Sequence, residues 1–396
     1  LTERLYYTDP ALTEFEATIT RLEKSGEQWE VLLDRSAFYP TSGGQQADRG
    51  TLGGAPVIDV REDDSGAVVH VLTAAPGELG MAVYGSVDAV RRLRHRQQHS
   101  AQHILSQVFI RLFDMATVSV HLGDAYGAIE MTGEMPTDEL LAAAEFEANQ
   151  IVFENKKVTI RFVTREEAAR LPMRKIPDRD GPIRLIQIGE FDYSACGGTH
   201  CLSTAEVGPI KITGATRQRG NVLVTFLAGR QALDDYQLRF RVSEQLATEL
   251  TCHFEDIPGR VSKLAEELKQ TRLQLGAVQR EHLPVVAQRL ATTATGVGAD
   301  SLVFAALPEF DAKTAGLLLA MVVERTGGVA AATVEQRLLI AANPTSGQSA
   351  NGLVKEICAA TGLRGGGSSG AAQIGGVTVD RSDELAARLR ELLGHA

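Results

Sequence analysis

The sequence lacks an apolar run long enough to cross a bilayer. A spanning helix needs about 18 such residues, and the longest run, residues 315–323, stops at Glu324. Residues 1–9 carry charge and no apolar stretch, so no secretory signal is expected, and Leu1 in place of Met suggests a trimmed or incomplete start. Cysteine is scarce: four in 396 residues suit reduced thiols in the cytoplasm or a metal site rather than a disulfide scaffold. No internal repeat of about 20–50 residues is apparent. An excess of cations is absent too. Forty Lys and Arg face 50 Asp and Glu, and the net charge of −10 argues against indiscriminate nucleic-acid binding while leaving room for local basic patches.

What is present is an ordinary globular composition, 44% apolar and 23% charged. At about 150 residues per domain, two or three domains are expected. Residues 15–22, 29–33, 57–60, 68–72 and 82–87 read as short strands broken by Gly-rich turns, a small all-β module over 1–88. At Arg91 the period changes. Leu93, Ala101, Ile104, Leu105, Val108 and Leu112 recur at helical spacing, which predicts an amphipathic helix of about six turns. Through 89–228, strands (116–122, 127–131, 158–163, 183–188, 210–213, 222–227) mix with helices (137–155 and a short one from Arg165). Residues 229–295 read as a helical hairpin or short coiled coil, with a seam of Leu264, Leu268 and Leu275 that Pro258 and Pro284 interrupt. The last stretch, 296–396, reads as a small α/β unit: strands 302–307 and 338–342, helices through 317–324, 353–361 and 383–393, and a Gly-rich loop before the last helix.

The chemistry-bearing residues come in two pairs. His99 and His103 lie four apart, so both imidazoles leave one helix face a turn apart. Far downstream, Cys196 and His200 enclose Gly197, Gly198 and Thr199, and two glycines let the backbone fold back so that thiolate and imidazole converge. All four are zinc-binding types, with ligand distances of about 2.0–2.3 Å. Either pair alone reads as ordinary surface or core; both in one small domain point to one zinc per chain. Spacing does not separate a structural zinc with four protein ligands from a catalytic one with three firm ligands and an open fourth position. His200 is the ligand expected to be held less tightly.

These residues carry a resemblance. The string from His99 to His103 with Ile104 and Leu105, the string Cys196-Gly197-Gly198-Thr199-His200, and residues 205–211 resemble the editing domain of alanyl-tRNA synthetase. Residues 38–45, with Asp48, Arg49 and Gly50, resemble the signature of the barrel preceding that domain, and residues 169–177 are similar to a segment of free-standing versions. Residues 365–370, Gln373, Gly375 and Gly376 resemble the Gly-rich loop of the DHH-associated domain that ends the synthetase. The resemblance covers nearly the whole chain and matches the long form of the free-standing alanyl-tRNA editing proteins. It implies an α+β multidomain protein: a β-barrel (1–88), a zinc-dependent editing core (89–228), a helical linker (229–295) and a C-terminal α/β domain of the DHH-associated type (296–396). With the barrel at residue 1, no aminoacylation is expected, and the absence of an Asp-His-His string argues against phosphoesterase chemistry. Ser100 and Gln102 depart from the synthetase pattern, where Thr is frequent.

The reaction implied is zinc-dependent hydrolysis, in trans and in the cytoplasm, of the ester that joins a wrong amino acid, serine or glycine, to alanine tRNA. The implied pocket takes in Thr117, Ser119 and His121 from one face of the strand after the metal helix, with Thr41, Gln45 and Gln102. Basic clusters bracket the metal motifs and are expected to meet tRNA: Arg91, Arg92, Arg94 and Arg96; Arg170, Arg174, Lys175 and Arg179; Arg217 and Arg219. His95, between two arginines, is expected to face RNA rather than metal, and Cys201 to point away from it. Gly365, Gly366 and Gly367 are candidate phosphate contacts. The helical and C-terminal regions are expected to serve tRNA affinity or a homodimer rather than chemistry. Two other readings stay open: a non-catalytic zinc-containing tRNA-binding module, and an editing deacylase for threonine tRNA.

Overall fold

Along Glu14–Ser25, Phe15, Ala17 and Ile19 alternate with charged or polar residues, so one face of the strand is buried and the other meets water. That pattern recurs along the first strands and closes them into a barrel. The computed structural model describes residues 2–178, 181–378 and 381–394. It divides into two compact units, Leu1–Gln245 and Leu246–Ala396. The first holds both the barrel and the α+β region.

The strands of the barrel region are β1 (Glu3–Arg4), β2 (Glu14–Ser25), β3 (Gln28–Leu33), β4 (Arg35–Ser36), β5 (Gly50–Leu52), β6 (Ala55–Glu62), β7 (Val68–Leu72) and β8 (Ala82–Val87). Closure runs β2-β3-β7-β6-β5-β8, and β1 pairs with β4 alongside. Phe15, Ile19, Val31, Leu33, Phe38, Leu52, Val60 and Leu72 fill the interior.

Helix α1 (Ala89–Phe113) follows, capped by the Asp88 carboxylate, which accepts from Val90 N and Arg91 N. Its expected amphipathic stripe is not what it shows. Residues from Arg91 to Phe109 are buried almost all round, polar ones included, while Leu93 and Leu112 are exposed. The helix is central: its apolar side packs on β9 (Thr117–Leu122), β10 (Gly127–Met131) and α2 (Asp138–Phe153), and its polar side serves the site described below. Beyond come β11 (Val158–Val163), α3 (Arg165–Ala168), β12 (Ile183–Ile188), β13 (Asp192–Ala195), β14 (Ile210–Gln218), β15 (Asn221–Ala228) and α4 (Arg230–Leu250). They make two antiparallel sheets, β14-β15-β10-β9 and β11-β12-β13.

The second unit is a three-layer α/β fold. Helix α5 (Ile257–Ala291) runs through Pro284 without ending, and Pro258 sits in its first turn, where its missing N–H has no helical partner to lose. Leu283 and Ala287 bury beside α6 and hold the helix across the proline, so the expected interruptions do not occur. Then follow β16 (Leu302–Ala306), α6 (Ala312–Thr326), β17 (Val329–Val334), β18 (Arg337–Ala342), α7 (Ala350–Thr361), β19 (Arg364–Gly367), β20 (Ala371–Gly375) and α8 (Ser382–Leu392). The sheet order is β16-β17-β18-β20-β19, with α5 and α6 covering one face and α7 and α8 the other. Gly365, Gly366 and Gly367 therefore lie in an edge strand, not in the loop expected of them. Paired strands approach so closely there that a Cβ on Gly365 would meet Gln373 O at 2.4 Å.

Candidate metal centre

Helix α1 delivers His99 and His103, and the turn after β13 delivers Cys196 and His200. Their ligand atoms all lie within 4.8 Å of one another. Sγ of Cys196 is 3.4 Å from His99 Nε2 and 3.3 Å from His200 Nε2. Each imidazole is held from behind through Nδ1: His99 by Gln45 Oε1 at 2.9 Å, His103 by the Asp192 carboxylate at 3.0 Å, and His200 beside Ser100 Oγ at 3.4 Å. Metal-binding imidazoles need this arrangement, an outer partner on one nitrogen and a lone pair free on the other.

The electrostatics agree with that use. Burial alone would raise the Cys196 thiol, but the charges of His99 and His200 and hydrogen bonds from His103 and His200 outweigh it and hold the thiol well below its usual range. Burial, reinforced by His99, drives His200 down to about 3. Burial also opposes charge on His103, yet hydrogen bonds to Asp192 and Cys196 win and raise it. Asp192 is lowered despite its burial, by His103, Arg174 and Ser194. A thiolate with three imidazoles is a donor set that fits zinc.

The loop is fixed by two buried arginines. Arg184 Nη1 donates to the carbonyls of Cys196 at 2.7 Å and Gly198 at 3.0 Å, and Arg96 Nε to that of His200 at 2.9 Å. Arg184 and Asp192 carry no signal in the sequence, although Asp192 lies just before Cys196.

A cavity of about 330 Å³ opens beside His103, lined by Thr117, Arg174, Lys175 and Ser194 among others. Thr117 Oγ1 donates to Ser106 Oγ at 2.8 Å, and Gln102 Nε2 donates to the same oxygen at 2.8 Å. Ser119 and His121 do not share this face. The pairing of β9 with β10 slips between Glu130 and Met131, leaving Val118 as an extra residue. That bulge reverses the parity of the strand. Ser119 instead donates to Glu130, and both it and His121 are exposed. Thr41 is exposed and accepts from Ala47 N; it lines a separate cavity with Arg49 and Asp59. Gln45 meets the ligands rather than the cavity.

The arginines in the first turns of α1 turn inward, contrary to the surface expected of them. Arg92 is 1% exposed and pairs with buried Asp48, with further bonds to the carbonyls of Pro10, Leu12 and Ala37. Arg91 bonds Ala47 O, Gln46 and Asp124, and Arg96 adds Glu206. Arg94, partly exposed, pairs with Asp124. His95 is buried, not RNA-facing, and burial lowers it to about 4. Cys201 points away from the set, its thiol pushed up by burial to about 12. Lys175, Arg170, Arg217 and Arg219 are exposed, and Arg179 lies outside the described residues. No helix among the described residues is long and apolar enough to cross a membrane.

Residues 183–223, which run from β12 through the Cys196–His200 turn into β15, match the family described as the threonyl and alanyl tRNA synthetase second additional domain. The alanyl-tRNA editing protein AlaX-L of Pyrococcus horikoshii is 34% identical over 241 residues, 59% of this chain and 59% of that protein. Alanine–tRNA ligase of Methanopyrus kandleri is 31% identical over 419 residues, covering 99% of this chain and 45% of the ligase. Among solved structures, the C-Ala domain of Aquifex aeolicus alanyl-tRNA synthetase aligns with 26% of this chain and 97% of its own length, at 22% identity and a TM-score of 0.24. The chain spans less than two thirds of these two curated relatives.

Proposed function

From a chain that belongs with the AlaX-type alanyl-tRNA editing proteins and the matching domains of alanine–tRNA ligases, we propose an aminoacyl-tRNA deacylase that removes serine from mischarged alanine tRNA. The observation that carries this reading is the convergence of His99, His103, Cys196 and His200, with His103 at the wall of a cavity large enough for an aminoacyl group. Zinc held firmly by His99, His103 and Cys196, with His200 as the ligand that yields its position, would supply Lewis acidity at the ester carbonyl and lower the pKa of a water toward about 7.

The chain's own residues do the selecting. The Thr117 hydroxyl spends its proton on Ser106, so its lone pairs are left as acceptors for a hydroxyl in the cavity. A seryl group fills that need and an alanyl group leaves it bare, which costs binding because a buried acceptor goes unpaired. Such a site discriminates where an activating pocket cannot: an apolar pocket rejects an added hydroxyl only about 100-fold. Gln102 supports Thr117 at one remove, through Ser106. Lys175, and Arg174 tied to Asp192 and Ser194, bring positive charge to the cavity wall, where the phosphates of a tRNA 3′ end would lie. The protein works on tRNA in the cytoplasm. Exposure of Leu264, Leu268 and Leu275 along α5 supports pairing of two copies there.

The test is deacylation of serine-charged and alanine-charged alanine tRNA by the zinc-loaded protein. Rapid loss of serine with alanine spared is the expected result. Binding of both without hydrolysis would instead support the non-catalytic module, and hydrolysis of serine-charged threonine tRNA alone would move the protein to the threonine class.

A further inference from the structure

The barrel reaches His99 through one turn. Ser42 N–H donates to Gln45 O at 3.1 Å and Gln45 N–H to Ser42 O at 2.9 Å. Between them Gly43 and Gly44 take φ of 56° and 84°, and a Cβ on Gly44 would stand 2.4 Å from the Val120 carbonyl oxygen of β9. Leu122 N–H donates to Gly44 O at 2.8 Å, which fastens the turn to that strand.

What this geometry delivers is the side chain of Gln45, fully buried. Its Oε1 accepts the Thr199 backbone N–H at 3.1 Å and lies 2.9 Å from His99 Nδ1, while Nε2 donates to Thr199 Oγ1 at 3.0 Å. A backbone N–H can only donate, so the Gln45 atom facing it is the oxygen. The His99 nitrogen facing that oxygen must then carry the proton, which leaves the lone pair on Nε2, toward Cys196. Gly198 permits the approach: a Cβ there would stand 2.1 Å from His99 Cε1 and 3.2 Å from Gln45 Oε1.

We infer that Gln45 is a positioning residue for the metal set, through which the barrel governs how tightly metal is held. One side chain sets the tautomer of His99 and ties α1 to the Cys196–His200 turn, so both halves of the ligand set depend on it. The inference rests on the zinc reading above and deepens it.

The test uses the full chain, stripped of metal and titrated with Zn²⁺ or Co²⁺ against a chelator. Gln45→Met keeps the length and loses both polar ends. It is expected to hold zinc about 10–100-fold more weakly, with a changed Co²⁺ ligand-field spectrum. Gln45→Glu keeps an acceptor for both N–H donors and should restore most of the affinity. Melting separates positioning from bulk support: positioning shrinks the zinc-induced rise in Tm, whereas bulk support lowers the metal-free and loaded Tm equally. Should Gln45→Met fail to fold, Thr199→Val removes only the hydroxyl partner and is expected to show a smaller loss in the same direction. Unchanged affinity and spectrum in the variant measured overturn the inference. A wild-type chain that takes up no zinc overturns the metal reading instead.

Discussion

Two groups of basic residues flank the metal set, and they are used in opposite ways. Arg91, Arg92 and Arg96 on α1 are buried and bonded to the barrel and to the ligand loop. Arg174 and Lys175, in the segment between α3 and β12, line the cavity. A string of arginines before a metal helix invites a phosphate role. Here it is a clamp, because the partners of Arg92, Asp48 and the Ala37 carbonyl, lie 44 and 55 residues away in the barrel. Charge in a sequence tells neither burial nor partner.

The contrast can be broken by substitution. Arg92→Ala strands the Asp48 carboxylate in the interior and should cost about 3–5 kcal/mol of stability. Urea unfolding followed by Trp29, the one tryptophan and a barrel residue, reads this directly. A loss confined to tRNA affinity, with stability intact, would return Arg92 to the surface role.

A second buried group in the barrel sharpens the point, since it avoids charge rather than pairing it. His70 sits between Ser36 Oγ and the Val31 carbonyl, and burial lowers it from 6.5 to about 4. The unfolded chain binds this proton first, so stability is fully present above pH 6.5 and falls as the pH drops toward about 4. The loss amounts to ~3 kcal/mol. Unfolding at about pH 7 and about pH 4.5 in the wild type and in His70→Gln checks it, the variant being expected to lose this part of the slope.

Smaller effects belong to the cavity side. Thr117→Val keeps shape and removes the acceptor, so the ratio of serine to alanine deacylation rates should fall by about tenfold, with fold and zinc intact. An unchanged ratio means that Thr117 is not the discriminator. Lys175→Ala should leave stability within about 0.5 kcal/mol and reduce the salt dependence of tRNA binding by about one phosphate contact. An unaltered salt slope would remove Lys175 from the interface.

Much of the fold and of the metal set is legible in the amino-acid order. Strands β7, β8, β10, β11 and β12 fall at the residues their alternation or apolar runs mark. The four candidate ligands stand out because two spacings, four residues on a helix and a Gly-Gly return, each aim two donors one way. The features that local pattern does not reveal depend on distant partners. β17 opens with a valine and a run of three alanines, poor strand formers by propensity, and it forms because it is buried between β16 and β18. The bulge at Val118 answers to its pairing with β10, so simple alternation puts Ser119 and His121 on the wrong face. Asp192 and Arg184 act through bonds that no local spacing encodes.

On the proposed reading, one metal at His99, His103, Cys196 and His200 supports deacylation. Metal-free protein titrated with zinc, with bound metal and serine release from alanine tRNA followed together, tests it most directly. Both should rise in step and level off at one equivalent, and Cys196→Ala should show neither. Serine release at full rate without metal, or full zinc retention in Cys196→Ala, would contradict it.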